Sequence, residues 1–242
     1  MRHAGNWVID KMTEPLTDNQ IKHLLNFIGY GTLDADVWFL GMEEAGGGGD
    51  NIRTRLNFRV VEDLAEAHKL LGVTHLHWGK RKIQRTWRGM CYIMLRLEGK
   101  EPAREAIRHY QAEKLGRFNG NTLLTELMPI PKPKINQWEY KELIPQFTSR
   151  ADYYETVQPK RIQHLRRLIK EHKPKVIVGY GKAFWPAYKK LFPKMQFTPE
   201  DQFETGFDNQ TLTILTGHFR ARSMNGKFDD VVSIIRKYLP AL

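Results

Sequence analysis

The segment that most constrains this fold is residues 36–49, where a strand-like run ends in two acids and a row of glycines. It reads DVWFLGMEEAGGGG, so an apolar stretch rich in β-forming residues leads into Glu43 and Glu44. Buried parallel strands of α/β proteins read as short apolar runs, and their ligands bind beyond the carboxyl ends of the strands. The segment therefore predicts a strand with both carboxylates at the mouth of a parallel sheet.

The glycine run at residues 46–49 has three interpretations. It can serve as a mobile hinge, as a loop that contacts phosphate, or as room for a bulky substrate. The run lacks the G-x-G-x-x-G spacing of dinucleotide folds and the Lys-Ser/Thr ending of a phosphate-binding loop. A nucleotide-binding motif is therefore only weakly supported.

The rest of the chain alternates between strand-like and helix-like segments. Apolar runs predict four strands at residues 36–41, 121–127, 175–180 and 212–217. Helical periodicity predicts helices at residues 16–30, 58–71, 83–97, 102–115, 159–172 and 228–239. Strands separated by helices indicate a parallel sheet that is covered on both faces. We expect a single domain over residues 1–242, with residues 132–149 as a long surface excursion.

The charge and cysteine content of the chain limit the classes of partner and cofactor that it is expected to bind. The chain has 38 Lys and Arg against 27 Asp and Glu, a net charge of +11. Such a surplus favours a polyanionic partner such as nucleic acid, although a generally basic protein is the plain alternative. Cys91 is the single cysteine, which excludes an intrachain disulfide and any metal cluster that needs several thiolates.

We expect no cofactor and no metal. No apolar run has the length of a membrane span, and the first residues lack the apolar segment of a signal peptide. The sequence therefore predicts a cytosolic protein without a membrane partner. Nothing in it indicates an obligate protein partner.

Two further strand ends carry polar residues. Glu126 lies at the end of the second predicted strand, and His218, Arg220 and Arg222 follow the fourth. Parallel strands bring their carboxyl ends to one edge of a sheet, so Glu43, Glu126 and His218 are expected to share a cleft. Taken singly, each of these residues also fits a surface or structural role.

Residues 77–88 mix cations with two tryptophans. Cations contact phosphates and flat rings stack on bases, so this segment fits a nucleic-acid surface as well as it fits the solvated start of a helix. The cations of this segment are Lys80, Arg81, Lys82, Arg85 and Arg88.

The order and content of these segments resemble the uracil-DNA glycosylase superfamily. Residues 41–46, GMEEAG, stand where the family has Gly-Met-Asn-Pro-Gly or Gly-Gln-Asp-Pro-Tyr. Glu43 falls on the position of the water-positioning Asp or Asn, and Glu44 replaces the proline. Residues 125–129, TELMP, resemble the base-reading segment, with Glu126 in place of Asn. Residues 173–181 resemble the third core strand, and residues 217–223 the closing His-Pro-Ser motif, of which His218 alone carries over.

The resemblance implies a three-layer α/β/α sandwich with a central four-stranded parallel sheet, and a DNA base flipped into a pocket at the strand ends. It implies hydrolysis of an N-glycosidic bond, with a carboxylate that stabilises the cationic sugar and a histidine that hydrogen-bonds the departing base. Glu43 and His218 fit these roles, and Glu44 competes for the first. The resemblance also implies base contacts from Met42.

Other contacts with DNA are assigned more loosely. Phe58 or Phe118 would stack on the flipped base, although each also fits a core aromatic. Arg220 and Arg222 would enter the DNA or grip phosphates, together with Lys80, Arg81, Lys82 and Arg85. This interpretation covers both double-stranded and single-stranded DNA.

Glu126 is the residue that most constrains the identity of the substrate. An ionised Glu only accepts hydrogen bonds, so it suits the N4 amino group of cytosine and opposes the O4 of uracil. The glycine run leaves room for a large substituent on the base. The sequence therefore favours a bulky cytosine derivative such as glucosylated hydroxymethylcytosine in phage DNA. In this respect the chain resembles a phage-defence branch of the superfamily, which acts on such a base. The alternatives are a uracil or hypoxanthine repair glycosylase, and a DNA-binding module without catalysis.

Overall fold

The computed structural model describes residues 14–79, 81–133 and 138–242. The helices in these ranges are α1 Asp18–Asn26, α2 Gly49–Arg55, α3 Leu64–Leu70, α4 Arg85–Leu97, α5 Arg104–Glu113, α6 Arg150–His172, α7 Trp185–Lys189 and α8 Phe228–Tyr238. The strands are β1 Gly29–Gly31, β2 Val37–Ala45, β3 Val61–Glu62, β4 Thr122–Lys132, β5 Val176–Tyr180, β6 Thr198–Glu200, β7 Phe203–Phe207 and β8 Leu212–Thr216. None of these helices has the length and apolar character needed to cross a membrane.

The sheet has eight strands in the order β3-β1-β4-β2-β5-β8-β7-β6. The predicted strands are its centre, because β4, β2, β5 and β8 are neighbours and run parallel. The α/β class is confirmed, but the expectation of a four-stranded sheet is wrong. Among the outer strands, β1, β3 and β6 have only two or three residues, and β1, β6 and β7 contain glycine or proline, so none has a long alternating pattern.

Both faces of the sheet are covered by helices. Successive side chains of a strand point to opposite faces, so Trp38 and Leu40 enter one core while Val37 and Phe39 enter the other. The first core is built with α1, α6 and α7, and the second with α3, α4, α5 and α8. This double burial explains why β2 reads as a continuous apolar run.

The predicted surface excursion at residues 132–149 is mostly exposed, but several of its side chains anchor it in the core. Tyr140, Ile144 and Phe147 are buried against α6 and β4, and only residues 134–137 lie outside the described ranges. Helix α6 also begins earlier than its periodicity indicated, because Ser149 caps it by accepting from the Asp152 amide at 3.1 Å. Pro159 is therefore inside the helix.

Gly31 provides a test of this packing. Its φ is +115°, and a Cβ there would lie 2.0 Å from the Thr122 carbonyl oxygen of the adjacent strand. Gly31→Ala is expected to lower the free energy of unfolding by about 2–5 kcal/mol in a denaturant titration. Gly49→Ala is the control, because a Cβ there meets no atom within 4 Å, and it should change stability by less than about 1 kcal/mol. Equal effects would contradict the close approach of β1 to β4.

Candidate active site

A cleft of about 300 Å3 opens at the carboxyl ends of the central parallel strands. It is the place where ligands bind in open α/β sheets. The lining includes Glu43, Glu44, Trp87, Glu126, Tyr180 and His218. The structure thus brings together the acids and the histidine that the sequence singled out.

The floor of the cleft is formed across Gly41. In the sheet register Gly41 of β2 lies beside Glu126 of β4. The Tyr180 hydroxyl, from β5 on the other side, donates a hydrogen bond to Glu126 Oε1 at 2.9 Å. A Cβ on Gly41 would lie 2.1 Å from Glu126 Oε2 and 2.4 Å from the Tyr180 hydroxyl. Glycine is therefore required here for close approach, because the two side chains meet over its bare Cα.

Glu126 is an uncharged acid at neutral pH. Its burial raises the pKa to about 8, and the nearby acids Glu44 and Glu43 act in the same direction against the Tyr180 hydrogen bond. Its Oε2 is buried and has no hydrogen-bond partner. The sequence alone predicts an ionised carboxyl that only accepts hydrogen bonds. In the fold it carries one donor and one acceptor instead.

Glu44 is held in an ion pair. Arg55 Nη2 donates to its Oε1 at 2.8 Å, and the Tyr30 hydroxyl donates to its Oε2 at 2.8 Å. Burial acts to raise the pKa of Glu44, but the Arg55 charge and both hydrogen bonds outweigh it and hold the pKa below its usual range. Glu44 is thus a fixed anion whose two oxygens are already engaged.

Glu43 has different partners. Lys132 Nζ lies 3.1 Å from its Oε1, and both side chains are almost completely buried. Burial raises the pKa of Glu43, while the nearby Tyr154 hydroxyl and the Lys132 ammonium oppose the rise. A carboxylate poised in this way can accept a proton from water.

His218 presents a hydrogen-bond donor. Its Nδ1 accepts from the Arg220 backbone amide at 3.2 Å, so the ring proton of the neutral form is on Nε2. Burial and the Arg220 charge lower its pKa, which favours that neutral form. The ring packs edge-on against Tyr180 at 5.7 Å between centroids and thus lies beside the Glu126 floor.

The glycine run shapes the rim. Gly46, Gly47 and Gly48 all have positive φ, and Gly47 packs where a Cβ would lie 2.3 Å from the Tyr140 hydroxyl. The Gly48 amide donates to Glu139 and Tyr140, at 2.8 Å and 3.2 Å. The run is thus an anchored turn, and the space beside Gly46 and Gly48 stays open.

The aromatic and methionine candidates for the base contact lie elsewhere. Phe58 is buried against Phe27, and Met42 is buried in the core beneath β2. Phe118 is exposed beside Arg59. The aromatic rings that line the cleft are Trp87 and Tyr180.

The predicted cations fall into three groups. Lys80 lies outside the described residues. Arg81 pairs with Glu113 at 2.9 Å. The third group is exposed and, in the part of the chain that the structure describes, forms no ion pair; it comprises Lys82, Arg85, Arg220 and Arg222.

Sequence reasoning missed the partners of the acids. Tyr180 closes β5 at a predicted strand end, which was a usable signal, whereas Lys132 closes β4 beyond the predicted strand end at residue 127. Tyr30 and Arg55 had none, because β1 is only three residues long and α2 follows a glycine run.

Among the described residues, no group of three or more His, Cys, Asp or Glu side chains is arranged to hold a metal ion. Comparison with protein-family models and with curated proteins gives no match. The functional interpretation therefore depends on the geometry of the cleft.

The Glu44–Arg55 pair is expected to be a stability element. Arg55 is 4% exposed, so Arg55→Met leaves a carboxylate without its cation and should cost about 3–5 kcal/mol in denaturant unfolding. The double variant Glu44→Gln/Arg55→Met should recover part of this loss, because no buried charge is left unpaired. Lys100→Met, in the exposed pair with Glu98, is the control and should cost less than about 1 kcal/mol. Equal losses at Arg55 and Lys100 would contradict the assignment.

A buried histidine pair behind Trp87 predicts acid sensitivity. His68 Nδ1 lies 3.0 Å from His77 Nε2, and burial lowers the pKa of each ring to about 4. Below pH 6.5 the folded state binds fewer protons than the unfolded state. The contribution of the two neutral rings to the free energy of unfolding is therefore fully present only above that pH. It should fall towards pH 4 by about 1 kcal/mol per pH unit for each ring. His68→Phe, which keeps the stacking on Trp87, should make the fall in melting temperature shallower; an unchanged slope would refute this.

Proposed function

We propose that this protein is a monofunctional DNA glycosylase of the uracil-DNA glycosylase type, acting on a flipped cytosine-derived base. The observation that carries the proposal is the meeting of three groups in one cleft at the carboxyl ends of parallel strands. These are the Glu43 carboxyl, the neutral His218 and the uncharged acid Glu126.

Each group has a role in breaking an N-glycosidic bond. As the bond lengthens, the sugar gains positive charge and the base gains negative charge. Glu43 stabilises the sugar cation and takes a proton from the attacking water, while Lys132 keeps its carboxyl in place. His218 Nε2–H donates to the base oxygen on which charge develops.

The Glu126 carboxyl supports a cytosine-type substrate. The Tyr180 hydroxyl occupies one lone pair of Oε1, so Oε1 acts as the carbonyl acceptor and the unpartnered Oε2 carries the proton. Cytosine offers the complementary edge, with an acceptor at N3 and a donor at N4. The open space beside Gly46 and Gly48 gives room for a substituent such as glucosylated hydroxymethyl, which supports a role in defence against phage.

The positive charge of the chain supports the proposal that it binds DNA. The net charge is +11, and Arg220 and Arg222 are exposed directly after His218. These cations would contact phosphates beside the flipped nucleotide. Trp87, at the cleft wall, is the ring best placed to stack on the base.

The test is incubation with phage DNA that carries glucosylated hydroxymethylcytosine, followed by alkaline cleavage of abasic sites and mass spectrometry of released bases. We expect fragmentation and a free modified base. Glu43→Gln and His218→Ala should each slow release about 100-fold or more, because each removes a group that acts on developing charge. Glu204→Gln, in the ion pair with Lys189, and His109→Ala, on the exposed side of α5, are matched controls and should retain the rate.

Two other outcomes separate the alternatives. An uncharged Glu126 can also donate to O4 and accept from N3–H, so uracil is a second candidate substrate, and a uracil oligonucleotide belongs in the panel. Release of uracil alone would replace the cytosine assignment with a repair function. Salt-dependent DNA binding with no base released from any substrate would indicate a non-catalytic module.

A further inference from the structure

The unpartnered oxygen of Glu126 has a consequence for the chemistry. Oε2 is buried, lacks a hydrogen-bond partner and lies where a Gly41 Cβ would collide with it, in a residue that lines the cleft. Leaving a buried polar atom unsatisfied is costly, so such an atom in a cleft indicates a ligand group that completes it. In the acid form Tyr180 holds Oε1 as the acceptor, so the proton lies on Oε2, where it can be donated to an acceptor on a ligand in the cleft.

On the basis of the proposed function, we infer that Glu126 is the general acid of this enzyme, passing its Oε2 proton to ring nitrogen N3 of the flipped base as the base departs. A cytosine-type base is a poor leaving group as an anion, because it has one carbonyl where uracil has two. Protonation at N3 removes this difficulty, since the base then leaves neutral.

The step is balanced. The bonding pair between C1′ and N1 passes into the ring while the Oε2 proton reaches N3, which leaves a neutral base and a Glu126 carboxylate. Water adds to the sugar cation at C1′, and Glu43 takes the proton that this water releases. Exchange with solvent returns both carboxyls to their starting states, so no other reactant is needed.

The surroundings of Glu126 keep its proton in place until a base arrives. Groups from every neighbouring element contribute, and the acids Glu43 and Glu44 oppose ionisation while Arg161 favours it. Arg161 also donates through Nη2 to the Glu126 carbonyl oxygen at 3.0 Å and thereby fixes the main chain of β4. The titratable or charged groups nearby are Tyr30 of β1, Glu43 and Glu44 of β2, Arg55 of α2, His68 of α3, Arg161 of α6, Tyr180 of β5, Tyr188 of α7 and His218.

The protonation state is tested without turnover. Infrared difference spectra between wild type and Glu126→Gln should show the carbonyl stretch of a carboxylic acid at pH 7, replaced by carboxylate bands on titration through about pH 8. Absence of the acid band at pH 7 would overturn the inference whatever the substrate proves to be.

Single-turnover rates of base release then test the role. With glucosylated hydroxymethylcytosine DNA, the wild-type rate should fall as pH rises through about 8, because the proton is lost. Glu126→Gln keeps a donor and an acceptor but has no transferable proton. It should bind this DNA within about threefold of wild type, release the base about 100-fold more slowly, and lose the alkaline fall. Glu204→Gln should match wild type in rate and in pH profile.

Tyr180→Phe is a second variant, and its result does not depend on whether Glu126→Gln folds. The Tyr180 hydrogen bond lowers the pKa of Glu126, so its removal should move the alkaline fall to higher pH. A wild type that releases base while Glu126→Gln keeps its rate and pH profile would overturn the inference and leave the function intact. A wild type that releases no base from any DNA would overturn the proposed function, and the infrared titration would still decide the protonation of Glu126.

Discussion

The contact on which the site depends is the meeting of Glu126 and Tyr180 over Gly41. Neighbouring strands are about 4.8 Å apart, so side chains on β4 and β5 reach each other only where the strand between them has no side chain. Gly41 supplies that gap, and the hydrogen bond of 2.9 Å between the Tyr180 hydroxyl and Glu126 Oε1 spans it. A side chain at Gly41 would separate the pair and fill the floor of the cleft.

The surroundings of the adjacent acids Glu43 and Glu44 shift their pKa values in opposite directions. Glu44 is held between Arg55 and Tyr30 and remains charged. Burial raises the pKa of Glu43, and its pairing with Lys132 offsets that rise only in part. The fixed charge of Glu44 helps to keep the proton on Glu126. The cleft thus places its acids in different electrostatic environments, and the proposed function uses Glu43 as the base and Glu126 as the proton donor.

Much of the scaffold was predictable because it follows from local periodicity. The central strands and the helices α4, α5 and α8 were located to within a few residues, since their apolar faces repeat at regular spacing. The outer strands β1, β3, β6 and β7 were not, because β1, β3 and β6 have two or three residues and β7 is interrupted by a glycine. Residues 140–147 were assigned to the surface, although Tyr140 and Ile144 are buried, because a segment without periodicity gives no sign of burial.

The sequence by itself determined which acids and which histidine reach the strand ends, since parallel strands carry their carboxyl ends to one edge. It could not determine the protonation of Glu126, the pairing of Glu44 or the tautomer of His218. Those properties depend on burial and on contacts between residues far apart in the chain, such as Glu126 with Tyr180 and Glu44 with Tyr30. Only the tertiary structure brings such groups together and removes them from water, and desolvation is what moves the Glu126 pKa to about 8.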